Sequence, residues 1–232
     1  MITVPYLIAL FILIAAYAFG VVLLRKAKAG EIINLIFSLA VFFSYLFVSL
    51  TTYSKGGIND WNFQNTLPVA NVSPFMFTLT PLSLLLPKKI RRSVLLLISL
   101  LSVGMLLSGV FGCIYNALRG YKLYFHFFMD YVAHVLLSLY GVYLVGSRQV
   151  DLKPKSALIS GSLIFGSALL MLILNLIFDT SFFGLSLSGK HNIYNVVLTD
   201  NSYISALLYF IGLFGVLALG YIACRLLVKL RK

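Results

Sequence analysis

Residues 88–115 read KKIRRSVLLLISLLSVGMLLSGVFGCIY. From Val94 to Tyr115 no side chain is charged at neutral pH. At about 1.5 Å per residue, a helix of that length reaches roughly 33 Å, enough to cross a hydrocarbon core of about 30 Å. The residues just before it, Lys88, Lys89, Arg91 and Arg92, mark the end that stays in water.

Six further windows have the same character. With this one they run Val4–Leu24, Ile32–Thr51, Pro68–Leu86, Val94–Tyr115, Tyr124–Val145, Ala157–Phe178 and Tyr203–Val228. A transmembrane β-barrel would instead alternate apolar and polar residues in segments of about ten. These runs are continuous, so the spacing predicts an all-α polytopic bundle of about seven transmembrane helices. The whole chain, 1–232, reads as one domain. Its longest polar stretch, from Asp179 to Ser202, is expected to be a loop.

Composition excludes the soluble classes. The chain is 61% hydrophobic and 10% charged, against roughly 25% charged residues in a soluble domain. A net charge of +12 would point to nucleic acid in a soluble protein. Here the distribution of the charge explains it, and no nucleic-acid partner is expected. After the first window come Arg25, Lys26 and Lys28; after the third, Lys88, Lys89, Arg91 and Arg92. After the fifth come Arg148, Lys153 and Lys155; at the end of the chain, Arg225, Lys229, Arg231 and Lys232. The intervening connections hold only Lys55, Arg119, Lys122 and Lys190. Positive residues gather in cytoplasmic loops, so this 14-to-4 split predicts an N-terminus outside and a C-terminus in the cytoplasm, in a plasma membrane of bacterial type. The partners expected of such loops are anionic membrane lipids. A signal peptide carries its basic residues before its apolar core; here they follow it, so the first window is expected to be retained as a helix.

Smaller features follow from this map. Gly104, Ser108 and Gly112 in the fourth window, and Ser162 and Gly166 in the sixth, are spaced for close helix packing. Cys113 ends the fourth window on the outer side and Cys224 lies roughly 30 Å down the seventh, so they should not pair, since a disulfide needs Cα atoms within about 7 Å. No internal repeat is visible. Trp61 and its aromatic neighbours suit an interfacial belt.

The chemistry is concentrated in the fifth window, Tyr124-Phe-His126-Phe-Phe-Met-Asp130-Tyr-Val-Ala-His134. Its three ionisable residues are four apart, so they share one helix face. Such groups are costly within a bilayer, at about 2.5–3.5 kcal/mol each on insertion scales. Starting outside, the helix puts Asp130 about 9 Å and His134 about 15 Å below its beginning. An Asp beside a His can orient the imidazole for acid–base work, relay protons, or pair with its neighbours as internal glue. Three residues strung along one helix do not converge on a metal, so none is expected; no cofactor is indicated. Asn71, Ser73 and Pro74 open the third window, Asn116 closes the fourth, and Asn175 and Asp179 end the sixth. All belong to the outer half, where Asn71, Asn116 and Asn175 are expected to build a pocket around the stripe. The loop holding His191, Asn192, Tyr194 and Asn195 could cover it, or more simply be a solvated connection.

Leu67-Pro68, Asn71-Val72-Ser73-Pro74-Phe75, the segment from His126 to Tyr140 and Asn192-Ile193-Tyr194-Asn195 together resemble the bacterial YwaF-like integral membrane proteins, over most of the chain. The resemblance extends to eukaryotic proteins linked to acyl transfer on phospholipids. It implies a functional histidine at His134. The family's cysteine before the Asn71 position is Ala70 here, so a thiol nucleophile is not implied. Three readings follow: a lipid-modifying enzyme, for acyl transfer or hydrolysis, with His134 as base, Asp130 orienting it and Ser73 the nominated hydroxyl; a small-molecule or proton-coupled carrier; and a non-catalytic membrane partner protein. A nucleophile within reach of His134 favours the first, and a polar path through the bundle favours the second.

Overall fold

A computed structural model describes residues 4–57, 64–185 and 201–230. Every regular element among them is helical. The elements are α1 (Val4–Leu24), α2 (Glu31–Gly56), α3 (Val72–Leu82), α4 (Lys88–Leu118), α5 (Phe125–Gly146), α6 (Pro154–Phe178) and α7 (Ser202–Leu230). Six of them are long and apolar enough to cross a membrane, all but α3. The chain is therefore a multi-pass membrane protein.

The third window needs correction at its start. It does not run as a helix from Pro68 to Leu86. Residues 65–70 form turns, tied by Ala70 N–H to Leu67 C=O at 2.9 Å. Asn71 is extended, with φ −148° and ψ 164°, and the helix begins only at Val72. Pro74 falls in the first turn, where no N–H partner is needed. Pro81 lies near the far end and removes a ladder bond, and the chain tightens into a 3-10 turn at Ser83–Leu85 before Pro87. The result is about 23 Å of helix.

Antiparallel helices α4 and α5 form the centre, with α2, α6, α7 and α1 around them and α3 wedged between α2, α4 and α5. The largest core cluster joins Leu96, Leu97, Ile98, Leu100 and Leu101 of α4 to Leu137, Tyr140, Tyr143 and Leu144 of α5. α7 and α4 cross closely at Gly220. A Cβ at Gly220 would lie 1.7 Å from the Leu100 carbonyl oxygen, so only glycine permits that crossing.

The small residues of α6 behave differently from expectation. Ser162 is exposed and bonds its own helix at Ile159 C=O, 2.8 Å away. Nothing lies within 4 Å of where a Gly166 Cβ would be. The face that carries Ser162 and Gly166 is turned away from the bundle, while Ser160, Gly161 and Ala168 pack inward. The two cysteines are both free and buried, Cys113 against Tyr6 of α1 and Cys224 against Ser99 of α4.

The basic end is polar inside. Asn34, 2% exposed, donates to Gln149 Oε1 at 2.7 Å. Gln149 donates in turn to Ser147 Oγ at 2.8 Å. The Tyr143 hydroxyl accepts from Gly30 N–H at 2.9 Å. These bonds fasten the connection between α1 and α2 to the end of α5.

Candidate active site

At the other end of the bundle, the second halves of α2 and α4 meet the first halves of α3, α5 and α7 around a cavity of about 590 Å³. This gathering follows from strict up-and-down alternation of the helices. Ser73, Asn71, His126, Asp130 and His134 all line the cavity. Its deeper wall is apolar, with Phe77, Leu101, Met105, Leu213 and Val216.

His134 is 6% exposed and fully engaged. Its Nε2 lies 3.1 Å from Ser73 Oγ. Its Nδ1 lies 2.8 Å from the backbone carbonyl of Asp130. A carbonyl can only accept, so Nδ1 carries the proton. Nε2 is then the bare nitrogen, able to accept the Ser73 O–H. The carboxylate of Asp130, with its side chain 40% exposed, comes within 3.6 Å of the same Nδ1. That is beyond hydrogen-bond range.

Local sequence explains the arrangement. The i to i+4 spacing brings Asp130 and His134 onto one face of α5. The late start of α3 puts Ser73 in a first turn, where the N–H groups of Val72 and Ser73 have no carbonyl partner within the helix. Asn71 makes no side-chain cap to that helix, and it lines the cavity. Gly109 lets α4 lie flush on the histidine; a Cβ there would be 3.0 Å from His134 Cβ. Phe77 packs edge-on against the imidazole at 5.0 Å.

His126 stands apart from this pair. Its Nδ1 accepts from the Lys55 ammonium at 3.1 Å, and its ring stacks on Tyr124 at 5.6 Å. Lys55 also lies over the Tyr124 ring, 4.8 Å from its centroid.

Two residues expected in the pocket are elsewhere. Asn116 donates to the Tyr131 hydroxyl at 2.7 Å, in a separate cluster with Tyr6 and Cys113. Asn175 is 4% exposed and spends its amide on the chain that follows α6. It accepts from Phe182 N–H at 2.7 Å and Thr180 Oγ1 at 2.8 Å, and it donates to the carbonyls of Phe182 and Leu185. It thereby holds Phe183, which does line the cavity. Residues 191, 192, 194 and 195 of the loop after α6, and Trp61, lie outside the described residues. Among the described residues, no three His, Cys, Asp or Glu side chains gather closely enough for a metal ion.

Sequence reasoning missed Tyr45, Thr52, Gly109 and Tyr209, of which all but Gly109 line the cavity. The Tyr45 hydroxyl donates to Thr66 C=O and fixes the turn that leads into α3. Compared with protein-family models, with curated proteins and with solved structures, the chain finds no match in any of the three.

Proposed function

We propose that this chain is a membrane-embedded enzyme acting on an acyl ester of a lipid, by transfer or hydrolysis. The observation that carries the reading is the 3.1 Å contact of His134 Nε2 with Ser73 Oγ, in the tautomer fixed by Asp130 C=O. In the step this permits, Ser73 Oγ attacks the ester carbonyl carbon and its proton passes to His134 Nε2. The imidazolium keeps its Nδ1–H bond to the Asp130 carbonyl and faces the Asp130 carboxylate. The new oxyanion is met by the Val72 and Ser73 N–H groups, reinforced by the helix dipole, and by the Asn71 amide. The tetrahedral adduct collapses, and the lipid alcohol leaves with the proton from His134. Ser73 holds the acyl group until water or a second alcohol, activated by the same imidazole, removes it. The apolar wall from Phe77 to Val216 suits an acyl chain. That wall also counts against the carrier reading, which needs polar groups leading onward from the stripe.

In this reading the cavity opens to the outer face of a bacterial plasma membrane, with the N-terminus outside. The charge distribution supports that orientation, and the resemblance to YwaF-like proteins agrees with a lipid substrate. Single cysteines introduced at Lys55 should react with an impermeant maleimide on intact cells, and those at Lys89 and Lys153 should not. Labelling at Lys89 would invert the orientation.

A fluorophosphonate probe tests the chemistry. Wild-type protein in detergent should be labelled at Ser73, and Ser73→Ala should abolish both labelling and release of fatty acid from phospholipid. Undiminished labelling of that variant would remove Ser73 as the nucleophile.

A further inference from the structure

The basic end holds a second cavity, of about 460 Å³. Arg92, from the first turns of α4, and Arg148, just past α5, line it together with Gln149, Asp151, Ser156 and Ser160. Among the described residues neither guanidinium has a carboxylate within 4 Å. Asp151, the acid in this wall, is already occupied. One oxygen accepts from Lys153 N–H at 3.2 Å and the other from Ser156 Oγ at 2.9 Å, with the Lys153 ammonium 3.9 Å away. Ser160 is fully buried, and its hydroxyl has no hydrogen-bond partner.

Arg148 is held in an unusual way. The end of α5 is closed by Arg148 N–H to Val145 C=O at 3.1 Å and Gln149 N–H to Leu144 C=O at 3.0 Å. In this kind of helix ending, the residue at the Arg148 position is left-handed, and glycine takes it without steric cost. Here an arginine does so, at φ +60°. The side chain that results is one of two unpaired guanidiniums in a single cavity, at the level where helices leave the hydrocarbon. Two like charges so placed favour a bridging anion, and a phosphate accepts several N–H bonds at once. Leu96 and Ile159 complete the wall with apolar surface, which fits an anion that carries acyl chains.

We propose that this cavity binds the phosphate of an anionic phospholipid headgroup in the leaflet at the basic end, with Arg92 and Arg148 as its charged ligands and the Ser160 hydroxyl as a further donor. The site is independent of the Ser73 reading. The test uses full-length protein in neutral detergent, titrated with phosphatidylglycerol, phosphatidylcholine or inorganic phosphate, and followed by native mass spectrometry and by melting. One phosphatidylglycerol should bind per chain and raise the melting midpoint, with phosphatidylcholine much weaker. R148G removes the left-handed arginine, so it should melt no lower than wild type without lipid, yet bind phosphatidylglycerol about tenfold more weakly. R92Q should weaken binding similarly, and it decides the matter if R148G fails to fold. Unchanged binding in the folded variants, or equal binding of phosphatidylcholine, overturns the proposal. Displacement of the lipid by millimolar inorganic phosphate overturns the lipid assignment and points to a water-soluble phosphate compound.

Discussion

The two ends of this bundle solve the problem of buried polarity in different ways. At the basic end, the Asn34, Gln149 and Ser147 chain and the Tyr143–Gly30 bond join segments far apart in sequence. Their partners are one another, and the result is a fastening. At the cavity end, the bonds of His134 are aligned so that one nitrogen is fixed as donor and the other is left facing a hydroxyl. Asn71 there keeps its amide off the helix it precedes. A buried polar group that is satisfied by its own scaffold adds order. One that is held in place with capacity to spare is prepared for something else.

That contrast can be broken by paired substitutions. His134→Gln should lower the rate of lipid acyl release by about 100- to 10 000-fold, and Asn71→Ala by about 100-fold, both with little change in melting. Asn34→Ala should do the reverse, costing roughly 1–3 kcal/mol of stability because Gln149 Oε1 loses its donor and the buried Tyr140 hydroxyl its acceptor, while the turnover of the folded fraction stays near wild type. Equal loss of activity and stability at both ends would mean that the His134 cluster is also only a fastening.

A second pair concerns packing. Gly220→Ala drives a methyl into the Leu100 carbonyl and should cost roughly 1–3 kcal/mol or more. Gly166→Ala meets open space and should be neutral or slightly stabilising, since alanine is the better helix former. Thermal melts in detergent distinguish them.

Lipid is as apolar as leucine, so in a helix such as α6, apolar all round, hydrophobicity does not mark the inward face. Gly166 and Gly220 therefore look alike until the helices are placed. The ionisable stripe was legible, because the bilayer penalises such groups unless they turn inward. Ser73 was legible as a hydroxyl near it. Asn175 was not, because an asparagine at a helix end can serve a cavity or its own following turn, and only the path of residues 180–185 decides. The start of α3 was obscured by an apolar run that continues through Leu67 and Pro68 into the turns before Asn71.

The smallest effect is expected at the α6 start. The Ser156 hydroxyl, then the Lys153 N–H and ammonium, hold the Asp151 carboxyl below the usual carboxylate range. Its folded value is thus lower than its unfolded one. The stabilisation is present above the unfolded value, about 3.9, and is lost as pH falls through the depressed folded value. Asp151→Asn should lower the melting point slightly at neutral pH and not at all in strong acid. A difference that persists in strong acid would assign the effect to something other than charge.

The brevity of α3 has a consequence for the surrounding lipid. Its basic end is anchored where Pro87 gives way to Lys88 at the start of α4. From there a rise of about 23 Å stops some 7 Å short of the far side of a hydrocarbon core about 30 Å thick. A helix this short beside lipid is accommodated by thinning of the adjacent leaflet, by snorkelling of flanking residues or by association, and thinning would bring glycerol ester linkages closer to the depth of Ser73.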